Sequence, residues 1–266
     1  MVTPFQSKQN LHQKPVIPTT GKAFTLLELL VVISIIALLM SILIPALGKA
    51  KELARGIICT HNLKTMSLAW FAYMTENSGE LIGGNTGESP HDWVQFPSGP
   101  SSDPIEQKKE GIRQGALFPY VKTVKVYHCP SDKRLKDPSQ RAFRSYSIAG
   151  GLNERHSYGI GKPVKKFTDI KGPGSKYVFV EENDPRGINE RAWHLNPTGD
   201  EWGDPLAIWH NKKSTLGFAD GHAELHTWLD ERTIEFSNGG SWGIPEAYQP
   251  DNPDLKYMQT AYAIIK

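Results

Sequence analysis

The sequence predicts an α+β protein: one long N-terminal helix, first apolar and then amphipathic, packed on an antiparallel β-sheet head with long loops. An apolar run over residues 24–47 and a helical apolar pattern over residues 48–79 predict the helix. The region 80–266 predicts the sheet, because short strand-like runs alternate there with turn signals. Most of the 24 glycines and 19 prolines also lie in this region, which favours a loop-rich β domain.

Length and charge limit the classes of protein to which the chain can belong. It has 266 residues, of which 22% are charged and 39% hydrophobic, which is typical of a folded domain rather than a disordered chain. The net charge is +2, so no overall basic field favours a nucleic-acid partner. We therefore expect no nucleic-acid binding.

The apolar run from Phe24 to Leu47 predicts a single membrane-spanning helix. It contains one charged residue, Glu28, and its roughly 36 Å of helix would cross a bilayer core. A buried helix of a soluble enzyme is rarely apolar on every face for so long. A secretory signal peptide has a shorter apolar stretch that ends at a cleavage site, whereas this run continues into another helical pattern.

The segment before the span, residues 1–23, predicts the orientation of the helix. It carries three lysines and no acidic residue, and basic flanks favour the cytoplasmic side. The flank beyond the span is also basic, so the short and polar character of the leading segment is the second reason for a cytoplasmic N-terminus.

The letters KAFTLLE at residues 22–28 resemble the cleavage and methylation site of type IV prepilins and type II secretion pseudopilins. The resemblance implies that a prepilin peptidase cuts between Ala23 and Phe24 and methylates the new amine. Most members have Gly before the cut, and here Gly21 offers an alternative position. The family further implies anchoring in a bacterial inner membrane, a periplasmic or extracellular head, and assembly with other pilin-like subunits and inner-membrane machinery.

Glu28 matches the carboxylate that this family carries shortly after the new N-terminus. A carboxylate in an apolar span is costly and usually has a partner. The new α-amine of Phe24 is cationic at neutral pH and can pair with Glu28 of a neighbouring subunit, where low dielectric strengthens the attraction. Such a pair would set the axial register of a filament. Alternatively, Glu28 lies at the membrane interface and reaches toward water.

Pro45 follows Phe24 by 21 residues, where pilin-like proteins often carry a helix-bending proline. Because proline removes one backbone hydrogen bond and crowds the preceding turn, we expect a kink or a weak stretch there. Ordinary membrane helices also tolerate proline. Beyond Pro45, apolar residues recur every three or four positions through Tyr73, and Asn77-Ser78-Gly79 favours a helix end.

The head contains readable strands. Residues 145–149 and 176–180 favour strands, and the clearest hairpin joins residues 215–219 to residues 222–226 through Asp220-Gly221. Residues 83–115 and 184–205 are predicted to be loops because of their Gly, Pro, Asn and Asp content.

The head carries a second resemblance. His210, nine further residues and then Asp220-Gly221 are similar to the C-terminal signature of a subgroup of prepilin-like proteins associated with prepilin processing. Residues 59–64 and 128–132 also look like that subgroup. We expect His210 to bond to a carboxylate or carbonyl of the hairpin turn and to fix it.

Several head residues have side chains that bind metals: Glu181, Glu182, His194, His210, Asp220, His222 and His226. A zinc site would need three or four of them to converge, and no tight helical pair of histidines occurs. We expect no metal and no cofactor, with a metal site, calcium included, as the alternative. We also expect no enzymatic activity, because no nucleophile, base and orienting group can be recognised together.

The chain has two cysteines, Cys59 and Cys129. In an exported protein an even count permits one disulfide, and closing a loop of about 70 residues could contribute roughly 4 kcal/mol. The alternative is two buried free thiols.

Three functions are compatible with these features. The first is a structural subunit, either a pseudopilin or a minor pilin, which Glu28 and Pro45 favour because a simple anchor needs neither. The second is a membrane-anchored module that binds glycans, peptides or ions, for which the tryptophans of the head are candidate stacking surfaces. The third is a tethered enzyme.

Overall fold

The computed structural model describes residues 24–138, 140–153, 161–239 and 244–264. The chain divides into two compact units, and the boundary between them falls after Ala46. The predicted leader, including Ala23, lies outside the described residues, so the cleavage position stays a prediction.

The first unit contains the apolar part of helix α1 (Leu26–Glu76). Within the described ranges, α1 is the one helix long and apolar enough to cross a membrane. It continues through Pro45, and the side chains from Phe24 to Ala46 are exposed. An exposed apolar surface of this length suits lipid or packed protein rather than water. The predicted long N-terminal helix is confirmed.

In the second unit, α1 has one buried face. Its positions include Cys59, Leu63, Met66 and Trp70, whose spacings of four, three and four residues put them on one side of a helix. The helix ends at Glu76, and the chain then turns through Ser78 and Gly79, which have φ angles of 57° and 80°. A glycine in the left-handed region commonly ends a helix, so the predicted helix end is confirmed.

A four-stranded antiparallel sheet, in the order β3-β4-β5-β6, lies in the second unit. Its strands are β3 (Tyr146–Ile148), β4 (Tyr177–Glu181), β5 (Lys213–Phe218) and β6 (Ala223–Thr227). The predicted strands and hairpin are confirmed, and pairing runs from Lys213 opposite Thr227 to Gly217 opposite Ala223. Gly221 in the connecting turn has a φ of 93°, which a residue without Cβ adopts readily.

Helix α1 and strand β5 approach each other closely at Gly217. A Cβ atom on Gly217 would lie 2.5 Å from Ser67 Oγ and 3.4 Å from the Leu63 carbonyl oxygen. The backbone of β5 therefore packs directly against the helix at this point, and the sheet shares its core with the buried face of α1.

The prediction of a loop over residues 83–115 is wrong. Strands β1 (Gly83–Thr86) and β2 (Asp92–Val94) pair in parallel, and helix α2 spans Pro104–Arg113. Asp103 caps α2 by accepting a hydrogen bond from the Ile105 backbone N–H at 3.0 Å, and Pro104 occupies the first turn, where it costs no hydrogen bond. These local signals outweigh the glycines and prolines around them.

The described part of the second unit also contains three further α-helices: α3 (Phe118–Val121), α4 (Glu231–Gly239) and α5 (Pro253–Ala261). Residues 184–205 contain no helix or strand, as predicted, and reach the rest of the fold through isolated bridges such as Glu201 with Tyr248.

Candidate functional site

The start of helix α1 forms a capping box between Thr25 and Glu28. The Glu28 backbone N–H donates to Thr25 Oγ1 at 3.1 Å, and the Thr25 backbone N–H donates to Glu28 Oε2 at 2.9 Å. The Thr25 hydroxyl also donates to Glu28 Oε2, at 2.8 Å. Such a box satisfies backbone N–H groups that a helix start leaves without partners. Glu28 therefore has a partner within its own chain, a local role that its apolar context did not predict.

Phe24 lies one residue before the box, and its side chain is 71% exposed. A cut before Phe24 would leave both Thr25 and Glu28 in the mature chain, so the box and the new α-amine would sit within one helical turn of each other. Pro45 lies inside α1. Its predicted role in assembly, like that of Glu28, stays a prediction.

A second group of polar side chains meets in the interior of the second unit. Cys59 lies on the buried face of α1, and Cys129 follows a 3-10 helix (Val124–Tyr127). Glu181 ends strand β4, and His210 precedes strand β5. All four residues are buried, and one ligand atom from each lies within 4.8 Å of the others. We call these four residues the buried cluster.

The contacts within the buried cluster are short. His210 Nε2 lies 3.1 Å from Glu181 Oε1 and 3.4 Å from Cys129 Sγ. The Sγ atoms of Cys59 and Cys129 are 2.7 Å apart, with both residues as free thiols. The structure thus brings the two cysteines together, and the disulfide expected from the sequence stays a prediction.

Further groups hold the buried cluster in place. The second ring nitrogen of His210, Nδ1, lies 3.0 Å from Glu52 Oε1, and Glu52 also accepts a hydrogen bond from Ser131 Oγ. The Thr215 backbone N–H donates to Glu181 Oε2 at 2.9 Å. Both carboxylates that face His210 are therefore fixed by other parts of the fold.

The charge of the His210 ring follows from its neighbours. Burial alone would lower the pKa of His210, but hydrogen bonds to Cys59 and Glu181 and the negative charge of Glu181 raise it to about 10. In the absence of a metal, the ring is an imidazolium with both N–H groups directed at carboxylates. Burial and the nearby Glu181 charge raise the pKa of Cys129 well above its usual value, so this thiol keeps its proton.

The residues of the C-terminal signature do not meet in space. His210 precedes β5 and Asp220-Gly221 follow it. Most of the nine residues between them form this strand, which separates the two parts of the signature. The expected bond from His210 to the hairpin turn is replaced by its contacts with Glu52 and Glu181. Asp220 instead contacts His222 Nδ1 at 2.5 Å, an exposed local pair within the turn.

The other predicted ligand residues lie outside the buried cluster. Glu182 accepts a hydrogen bond from Ser147, and His226 stacks on Tyr257 with ring centroids 4.2 Å apart. The His194 backbone N–H donates to Asp204. Among the described residues, Glu182, His194, His222 and His226 therefore lie outside the group of metal-binding side chains that come together.

Glu52 is the site residue that the sequence did not reveal. It lies seven residues before Cys59, which is two helical turns and therefore the same face of α1. Gly56 lies between them on that face, and a Cβ atom there would be 3.5 Å from the His210 ring. The spacing of Glu52, Gly56 and Cys59 is the signal that could have identified this surface.

The tryptophans of the head are mostly core residues. Trp93, Trp193, Trp202 and Trp228 are at most 2% exposed, whereas Trp242 lies outside the described residues. Because these four indole rings are buried, they are not accessible for stacking on sugars.

Comparison with known families finds that residues 21–44 match the family described as the Prokaryotic N-terminal methylation motif. The matched stretch includes Ala23, Phe24 and Glu28, so the N-terminal resemblance is confirmed. No curated protein and no solved structure matches the chain. The resemblance through His210 and Asp220-Gly221 stays a prediction.

Proposed function

Because this chain carries the prepilin-type N-terminal methylation motif, we propose that it is a pilin-like structural subunit, a pseudopilin or minor pilin. A prepilin peptidase removes residues 1–23 and methylates Phe24. Residues 24–47 then anchor the protein in a bacterial inner membrane, with residues 80–266 on the periplasmic or outer side. The subunit assembles with other pilin-like proteins in a type II secretion system or a type IV pilus-like filament.

The observation that carries this proposal is the position of the motif. It lies at the start of a helix that is long and apolar enough to span a bilayer, and the exposed apolar side chains of residues 24–46 form a surface that lipid or neighbouring helices can cover. The motif and this apolar surface are what a subunit needs for extraction from the membrane and packing into a helical bundle. A catalytic role has no comparable support, so we propose none.

Intact mass spectrometry tests the proposal. The full chain is co-expressed with a prepilin peptidase, and the expected product has lost residues 1–23 and gained one methyl group on Phe24. Cleavage after Gly21 would give a distinct mass. Ala23→Gly, which restores the usual family residue, should be cut at least as completely as the natural chain. A chain that remains uncut in both forms would contradict the assignment.

A second candidate function is a membrane-anchored binding module that uses the motif for export alone. It is favoured by a cleft of about 810 Å³ in the second unit, lined by polar groups that include Asn77, His91 and Lys165. Neighbouring genes distinguish the two functions. Genes for a secretion ATPase and a platform protein beside this one would support assembly, whereas an isolated gene would favour display.

A further inference from the structure

The buried cluster places two thiols, a carboxylate and an imidazole close together in the protein interior. Glu181 is completely buried and His210 is 2% exposed. Ionised groups are costly to bury unless they are paired or bound to a metal. The burial of each residue in the cluster therefore has to be explained together with the residues that it contacts.

Two simpler accounts each explain half of the cluster. An ion pair between His210 and Glu181 explains the imidazole and the carboxylate, but it gives no role to two thiols in contact with the same ring. A disulfide between Cys59 and Cys129 would explain the thiols, but not why Nε2 of His210 is directed at both Cys129 and Glu181. A single cation bound among the four groups explains all of them.

The distances suit a four-coordinate zinc ion. Zinc lies about 2.3 Å from Cys sulfur and about 2.0–2.2 Å from His nitrogen or carboxylate oxygen, so tetrahedral ligands lie about 3.3 Å (nitrogen to oxygen) and about 3.6 Å (nitrogen to sulfur) apart. His210 Nε2 is 3.1 Å from Glu181 Oε1 and 3.4 Å from Cys129 Sγ. The two sulfurs, 2.7 Å apart, would separate by about 1 Å on binding.

The hydrogen-bond partners of His210 are also those expected of a histidine that binds a metal. Histidines that bind metals through one ring nitrogen usually donate the other N–H to a carboxylate, which fixes the tautomer and the ring orientation. Here Nδ1 faces Glu52 at 3.0 Å while Nε2 faces the cluster. Glu52 is partly exposed, with 19% of its side chain accessible, so the cluster lies one residue from solvent.

We propose that Cys59, Cys129, Glu181 and His210 bind one zinc ion, which joins helix α1 to the loop at Cys129 and to the two central strands. Two thiolates and one imidazole are borderline-soft ligands that select zinc over calcium or magnesium. Zinc would bind Cys59 and Cys129 as thiolates and His210 through a deprotonated Nε2, and any protons that these groups carry would leave to solvent. The inference does not depend on the function proposed above.

Metal analysis of the full chain in detergent, purified without reductant or chelator, tests the site. We expect close to one zinc per chain, with both thiols reactive only after unfolding. Cys129→Ser and His210→Gln should each lose most of the zinc, whereas His222→Ala, which removes an exposed histidine that also pairs with a carboxylate, should keep it. A zinc-free natural chain with a Cys59–Cys129 linked peptide would overturn the proposal.

Cobalt substitution tests the proposed ligands in the natural chain, so it can be used even if the variants fail to fold. The natural chain, reduced and loaded with cobalt, should show near-ultraviolet bands from thiolate-to-metal charge transfer and the strong visible bands of tetrahedral cobalt. Cobalt that binds without thiolate bands, or that does not bind, would overturn the assignment of Cys59 and Cys129 as ligands.

Discussion

His210 Nδ1 lies 3.0 Å from Glu52 Oε1, a contact between residues 158 positions apart in the chain. It ties helix α1 to the segment that enters strand β5, and it determines which nitrogen of the ring faces the thiols. Arg55 contacts the other oxygen of Glu52 at 3.1 Å, so the carboxylate is held from two sides. The orientation of His210 therefore depends on Glu52, a residue whose own side chain is partly exposed to solvent.

Glu52→Ala should lower the zinc affinity of the full chain by about 10–100-fold, because loss of a carboxylate partner frees the ring of a metal-binding histidine. Competition with a chromophoric chelator measures the affinity. Glu52→Gln should recover part of the loss, since its amide oxygen can still accept from Nδ1–H.

Glu106→Ala is the matched control, because Glu106 also pairs with a basic residue three positions later, Lys109 at 2.7 Å, but lies outside the buried cluster. Equal zinc affinity in Glu52→Ala and in the natural chain would show that Glu52 does not position His210.

The sequence predicts features that depend on local signals. The β5–β6 hairpin follows from alternation around Asp220-Gly221, and the end of α1 follows from Gly79, since each signal lies within a few residues of the structure that it specifies. Helix α2 had comparable signals in Asp103 and Pro104, but the surrounding composition of glycine and proline favoured a loop.

The buried cluster could not be predicted in this way. Its members come from four segments, and the contact between Cys59 and Cys129 spans 70 positions, so their convergence depends on how β4 and β5 pack on α1. A pairing of the two cysteines was expected only from their number. The inclusion of Glu181 and His210 required the tertiary structure.

Glu28→Gln separates the two roles of Glu28. Gln at this position can keep the capping box with Thr25 but removes the negative charge that would pair with the amine of a neighbouring subunit. We expect the variant to be inserted and processed normally and to lose co-assembly, as measured by crosslinking in bacterial membranes.

Thr25→Ala is the complementary variant, because it removes the box and keeps the charge. It should retain crosslinked oligomers once its processing has been verified by mass. If Glu28→Gln assembles as well as the natural chain, the carboxylate acts only as a helix cap.

Gly217→Ala should lower the free energy of unfolding by about 1–3 kcal/mol, the usual cost of overpacking a core. The added Cβ would lie 2.5 Å from Ser67 Oγ, the nearest atom, and no closer than 3.4 Å to any other. Denaturant titration in detergent, followed by tryptophan fluorescence, measures the effect.

Ser67→Ala supplies the internal test of that contact. It removes the clashing oxygen, which is buried and has no hydrogen-bond partner among the described residues, so the double variant should regain most of the stability. Gly239→Ala serves as the control, because no described residue would lie within 4 Å of its added Cβ. If the double variant is no more stable than Gly217→Ala, the contact with Ser67 Oγ is not what destabilises Gly217→Ala.

Asp204 makes the stability of the second unit depend on pH. Burial raises the pKa of its carboxyl to about 6, even though the hydrogen bond from the His194 backbone N–H, at 2.7 Å, lowers it. Between the ordinary pKa of Asp and 6, the unfolded chain has lost this proton while the folded chain keeps it. Stability therefore falls as pH rises through this interval, by up to about 3 kcal/mol from this group alone.

Asp204→Asn should remove this dependence, because the amide oxygen can accept the same hydrogen bond but carries no charge to bury. Denaturant titrations at pH 4.5 and pH 7.5 (about one and a half units on either side of 6) should show a smaller loss of stability in the variant than in the natural chain. Asp200→Asn, an exposed position in the same segment, should behave like the natural chain. If Asp204→Asn and the natural chain lose equal stability over this range, Asp204 is ionised in the fold, and the destabilising group must be sought among its acidic neighbours.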